Sequence, residues 1–228
     1  MAITSPPGPG GLPRPEEVVP ASAAPTSIPA VSHRVLVAYG TRFGNTERIA
    51  ESLAAGMRKA SGVAADCLHI DEVSIESLGR YDFLAIGGPT EKMSASKPMR
   101  EFLAKLPATA LRGKQGFAFD TRFEVMMSGS AGKFIEKSLE RLGVEIVRPH
   151  ASAFVRGMNK EEKAHYGNVG TPDWVRELDK SIPREAAAKP ARLDLLYPAS
   201  EANFRKIGTE LGAIFATPPH LLAEASSA

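Results

Sequence analysis

The sequence predicts an α/β protein, a three-layer, doubly wound, five-stranded parallel sheet, on the strength of three observations. Short apolar runs rich in β-branched and aromatic residues recur along the chain, each the length of a strand buried on both faces. Between them fall stretches with apolar residues at helical spacing, the stripe of a helix that lays one face on a sheet. Glycine, proline or serine separates one kind of stretch from the other. Strands that alternate with helices need right-handed crossovers, so the strands run parallel and helices cover both faces.

Val35, Leu36, Val37, Ala38 and Tyr39 form the first strand, and Gly40 ends it. Ile49, Leu53 and Met57 then recur every four residues beside Ala50 and Ala54, a helix that Gly62 closes. Residues 63–68 are the second strand and residues 81–87, with Phe83, Leu84, Ala85 and Ile86, the third; the polar connection between them shows no clear pattern. Met99, Phe102, Leu103 and Leu106 fall at i, i+3, i+4 and i+7, with Pro98 suited to the first turn of their helix. Residues 116–119 are the fourth strand. Ala131, Ile135, Leu139 and Leu142 stripe the next helix, with Ser128 or Ser130 to cap its start and Gly143 its end. Residues 144–147 make the fifth strand, continued by residues 153–155 after a break at Pro149, and Thr171, Pro172 and Asp173 open a last helix that Trp174 anchors.

A chain of 228 residues suits one domain with a sizeable core, here expected over residues 34–181. The net charge of +2 comes from 28 basic and 26 acidic residues that are interleaved, which argues against a nucleic-acid partner. No run approaches the roughly 18 apolar residues of a membrane span, so no integral membrane segment is expected. The single cysteine, Cys67, fits a reducing compartment, with the cytoplasm as the expected location. Residues 1–32 hold eight of the 18 prolines and no aromatic residue, the composition of a disordered arm. Residues 182–228 read as a linker and an amphipathic helix in which Phe204, Ile207, Leu211, Ile214 and Phe215 form a stripe between Pro198 and the Pro218-Pro219 stop. Such a helix must bury its face, either on its own domain or, as a homo-oligomer, on a second subunit.

In a doubly wound sheet the ligand sits at the carboxyl edge, so the loops after strands one, three and four are the candidates. Thr41, Arg42, Phe43, Gly44, Asn45 and Thr46 lead directly into a helix, where backbone amides converge and the dipole favours an anion. Thr41 and Thr46 offer hydroxyls, Asn45 an amide, and Gly44 a close backbone approach. The plainer reading is that Thr46 caps the helix and Gly44 turns the chain. No lysine stands where a P-loop requires one, and the dinucleotide glycine pattern is missing. His69, His150, His165 and Cys67 have no metal-ligand spacing, so no metal is expected.

This loop, close to Ser/Thr-x-Thr-Gly-x-Thr and followed by Asn-Thr-Glu, resembles that of flavodoxins. The resemblance extends to Gly87-Gly88-Pro89-Thr90 after strand three, and to small prokaryotic flavodoxin-like proteins whose strand four ends in Phe-Asp-Thr-Arg, here Phe119-Asp120-Thr121-Arg122. It implies strand order 2-1-3-4-5 and a flavin mononucleotide (FMN) site. Its phosphate would lie on residues 41–46 and its ring among Pro89, Thr90, Glu91, Met93, Thr121, Arg122 and Phe123.

There are departures from the family pattern. Phe43 replaces a customary threonine, and Arg42 brings charge instead. The loop after Thr90, residues 91–97, has no aromatic, which leaves Met93 for one ring face and Phe123 for the other. The loop from Pro89 to Lys97 has no glycine, so the backbone flip that flavodoxins use with reduced flavin is harder. Residues 34–181 carry 22 basic and 19 acidic residues, whereas electron-carrying flavodoxins are usually strongly acidic. Arg122 is expected at the pyrimidine edge, favouring two-electron chemistry. The resemblance thus implies an FMN-binding redox protein, an electron carrier or a small oxidoreductase, with a partner protein or a small molecule as electron acceptor. The alternative is a flavodoxin-fold interaction module that has lost FMN.

Overall fold

A computed structural model describes residues 32–124, 129–162 and 192–216. Most of the expected N-terminal arm, the helix opened by Thr171, Trp174, His165 and the Pro218-Pro219 stop lie outside those residues.

Strands β1 (His33–Tyr39), β2 (Val63–His69), β3 (Phe83–Glu91) and β5 (Gln115–Phe123) run parallel in the order β2-β1-β3-β5. Two short strands, β6 (Glu145–Ile146) and β7 (Ala151–Val155), share the last position, each pairing with a different part of β5. They are the fifth strand, broken around Pro149 as its sequence predicts, and the order is the flavodoxin one. A two-residue strand, β4 (Ser94–Ala95), turns back antiparallel onto the end of β3. The unpatterned stretch before β3 is two 3₁₀ turns, Ile70–Glu72 and Ile75–Arg80, that bury Ile70 and Leu78.

Alternation along the strands divides the core into two layers. Leu36, Ala38, Leu84, Ile86 and Ala118 face α2 (Lys97–Lys105), α3 (Ala108–Leu111) and α4 (Ala131–Arg141). Val35, Val37, Ala85, Phe117 and Phe119 face α1 (Asn45–Met57) and α5 (Ser200–Ala216). Ile49, Leu53 and Met57 of α1 are fully buried, and Ser130 caps α4 by accepting from the Lys133 amide at 3.0 Å.

The helix expected beyond the domain belongs to its core. Phe204, Leu211 and Phe215 of α5 are buried against the sheet, and the Phe215 ring stacks on Phe83 at 3.8 Å. α5 lies so close to α1 that a methyl group on Gly208 would sit 2.0 Å from the Leu53 carbonyl oxygen, and one on Gly56 2.2 Å from that of Arg205. The hydrophobic layer therefore runs on past Ser181 to Phe215. Docking on the chain's own domain covers the stripe that raised a second subunit as its partner.

Candidate functional site

β1 delivers the chain to the carboxyl edge, where the Gly40 amide donates to the Gly87 carbonyl at 2.9 Å and sets the first and third loops side by side. The Gly44 amide then donates to Thr41 Oγ1 at 3.0 Å, closing a tight turn. Gly44 takes a left-handed conformation, φ 82°, that a side chain would strain. It is the N-cap of α1, and among the described residues no side chain caps that helix. The first-turn amides are thus left for a ligand, where the dipole favours negative charge.

Arg42 flanks this end. Its guanidinium lies 5.2 Å from the Phe43 ring and reaches Glu91 of β3 at 3.8 Å, while its buried Nε has no hydrogen-bond partner among the described residues. A guanidinium whose Nε is held without a hydrogen bond among the described residues, beside an uncapped helix end, suits an anion such as a phosphate. The loop is fixed from behind: Thr46 Oγ1 meets Thr121 Oγ1 of β5 at 2.8 Å, both buried. These two hydroxyls tie α1 to the sheet.

A strap formed by residues 192–197 crosses the loop. The Leu193 amide donates to the Phe43 carbonyl at 3.1 Å, and the Leu195 amide to Asn45 Oδ1 at 3.1 Å. The second bond orients the Asn45 amide so that Nδ2 remains as its donor. Arg192 pairs with Glu47 at 2.8 Å, and Arg48 bridges Asp194 at 2.6 Å and Glu201 at 2.8 Å. None of these strap contacts is legible in the sequence, because the partners are about 150 positions apart.

At the other end of the edge, β3 and β4 form a hairpin with Thr90 opposite Ala95 and Glu91 opposite Ser94. Lys92 and Met93 at its tip both have positive φ, 47° and 68°, the requirement of a type I′ turn usually met by Asn or Gly. Met93 is 61% exposed and its backbone bridges to Gly129, while Phe123, where β5 ends, is 48% exposed. These are two of the three large hydrophobic side chains exposed among the described residues, and both stand at the carboxyl edge.

Other expected site residues turn inward. The Thr90 hydroxyl is fully used, donating to Asp120 Oδ2 at 3.1 Å and accepting from the Ala131 amide at 2.8 Å. The Arg122 guanidinium donates to the Gly129 carbonyl at 2.9 Å and lies 5.3 Å from the Phe154 ring. Asp120, named in the sequence only as part of the Phe-Asp-Thr-Arg stretch and given no role there, is fully buried. Its signal was a carboxylate inside an apolar run.

Away from the edge, burial first and Glu51 second push the Cys67 thiol up to about 12, which favours the thiol over the thiolate at neutral pH. Burial, then Glu47, likewise raises the Tyr39 phenol to about 12. Among the described residues no group of side chains could hold a metal ion, and no helix is long and apolar enough to cross a membrane.

Comparison with known proteins agrees with this architecture. A flavodoxin of Aquifex aeolicus (strain VF5) is 41% identical over 69 residues, 30% of this chain and 37% of the relative. A flavodoxin of Clostridium saccharobutylicum is 25% identical over 88 residues, 39% of this chain and 55% of the relative. The chain thus spans between about a third and just over half the length of these two relatives. The structure of a flavodoxin from the domain Archaea, at 16% identity, superposes with a TM-score of 0.57 over 81% of this chain and 99% of that one, which shows a shared fold. Residues 37–167, more than half of the chain, match the family model described as Flavodoxin. With the sheet order, the phosphate-type loop and that match together, the chain belongs to the flavodoxin family.

Proposed function

We propose that the chain is an FMN-binding redox domain. The observation that carries the reading is the start of α1, an uncapped helix end entered through a left-handed glycine and flanked by the buried, unpartnered Nε of Arg42.

Bound FMN would supply electron exchange through its ring, while the protein supplies binding, orientation and electrostatics. Residues 41–46 hold the phosphate: the α1 amides and the Asn45 Nδ2 donate, the Thr41 hydroxyl adds a third kind of donor, and Arg42 adds charge. Met93 on the hairpin and Phe123 at the end of β5, with Pro89 and Glu91 beside them, would hold the ring. The carbon and sulfur surface of Met93 replaces an aromatic stack and excludes water. Thr46 and Thr121 support the loop from beneath. Arg122, held by the Gly129 carbonyl and the Phe154 ring, would lend positive charge to the ring side of the site. The electron acceptor is a partner protein or a small molecule, and the domain works in the cytoplasm.

The visible spectrum of the purified protein and a titration with FMN, FAD and riboflavin test this. FMN should bind at least roughly tenfold more tightly than riboflavin, because several charge-assisted hydrogen bonds are lost with the phosphate. Equal affinity for the two would remove the phosphate role, and no binding of either would remove the flavin reading.

A further inference from the structure

Asp120 breaks the apolar pattern of β5. Along this strand Phe117 and Phe119 face α1 and α5 while Ala118 faces α4, so Asp120 also falls on the α4 side, and it is fully buried. A carboxylate taken out of water is costly unless donors surround it. Here one oxygen collects three: Oδ2 accepts from Thr90 Oγ1 at 3.1 Å, Ser130 Oγ at 2.8 Å and the Gly132 amide at 2.9 Å. Two of these come from the start of α4, where the helix dipole also favours negative charge. The third comes from the first residue of the ring-side hairpin.

The donors are themselves linked. Thr90 Oγ1 accepts from the Ala131 amide at 2.8 Å, and Ser130 Oγ accepts from the Lys133 amide at 3.0 Å. The end of β3, the end of β5 and the start of α4 therefore meet at one carboxylate oxygen. The other, Oδ1, is buried and makes no hydrogen bond among the described residues. A simple cap for α4 is already present in Ser130, so the tie to Thr90 needs another reason. Its geometrical effect is to fix the base of a hairpin whose tip carries two residues in the left-handed region.

We propose that Asp120 is a positioning residue that, through Thr90, fixes the β3–β4 hairpin against α4 and so sets how firmly the flavin ring is held. The inference rests on the FMN reading above. It predicts a separation of functions along the carboxyl edge, in which the phosphate is held by residues 41–46 and the ring by a hairpin anchored at Asp120. A merely structural Asp120 would lower stability without loosening the hairpin in particular or weakening ring binding.

The test uses the full chain with Thr90→Val, Asp120→Ala and Asp120→Asn. Two measurements are made: hydrogen exchange of the hairpin amides in flavin-free protein, and titration with both FMN and riboflavin. Thr90→Val keeps the side-chain shape and removes the tie. It should speed exchange across residues 90–95 and weaken FMN and riboflavin by the same factor, roughly tenfold. Asp120→Ala should do the same, and Asp120→Asn, which keeps an acceptor toward the three donors, should recover much of the loss. Unchanged hairpin exchange, or a loss confined to FMN, overturns the proposal. If the unmodified protein binds FMN while Thr90→Val binds riboflavin equally well, the proposal alone fails. If the unmodified protein binds neither flavin, the FMN reading fails and the ring-holding role falls with it.

Discussion

At the phosphate end of the carboxyl edge the loop is tied to distant parts of the chain, through Thr46 to β5, Asn45 to Leu195, and Phe43 to Leu193. At the ring end Met93 and Phe123 are largely exposed, and the hairpin tip sits in a backbone conformation that its residues disfavour. The difference teaches how a site divides its work. A phosphate is bound by fixed dipoles, which must be held still, while a ring is covered by apolar side chains, which only need to be near. At Asp120 the ring end acquires ties comparable to those of the phosphate end.

The contrast can be broken most forcefully from α5. In Gly208→Ala the added methyl meets backbone, which cannot swing aside, so stability should fall by about 3 kcal/mol, the upper part of the range for overpacking. Urea denaturation measures it. Because α5 backs α1, FMN affinity should fall more than riboflavin affinity. A variant with an unchanged midpoint would mean that the two helices are not locked together.

Within the phosphate half, Thr46→Val removes the buried hydroxyl pair and leaves Thr121 without that partner. Its cost should be about 1–2 kcal/mol in stability, and thermal unfolding beside Thr121→Val would show whether the two changes are non-additive, as a shared bond requires. Simple additivity would disconnect α1 from β5.

The ring half offers the opposite sign. Lys92→Gly relieves a positive φ, which should stabilise by up to about 1 kcal/mol after the greater freedom of glycine in the unfolded chain is subtracted. A loss of stability on this substitution would show that the tip is unstrained.

The smallest expected effect lies where the chain leaves β7. Arg156 donates to both oxygens of Glu162 at 2.8 Å and to the Asp194 carbonyl at 3.1 Å, clasping the start of the strap. The hydrogen bonds from Arg156, and next the Asn159 amide, hold the Glu162 carboxyl down to about 2. A carboxylate lowered in the folded state contributes stability above its ordinary value near 4.5, and loses it as pH falls toward 2. Melting temperatures of the unmodified protein and Glu162→Gln should therefore differ slightly at neutral pH and converge by pH 2. A gap that persists in acid would assign the effect to packing instead.

By itself the sequence determined what is local. The apolar runs and four-residue stripes specified strands and helices because periodicity decides which side chains share a face, and Gly44 with its neighbours specified the turn into α1 because that conformation depends on adjacent residues alone. Even the break in the fifth strand is legible at Pro149. Tertiary structure decided which distant faces meet. Phe204 and Phe215 read equally well as an appendage until α5 is found on α1, although Gly208 and Gly212, one turn apart, had recorded the close approach. Asp120 reads as an ordinary polar residue until Thr90, Ser130 and Gly132 surround it. Such ties join residues separated by ten to about 150 positions, and hydrogen bonds of that kind leave no period in a sequence because only the folded chain brings donor and acceptor together.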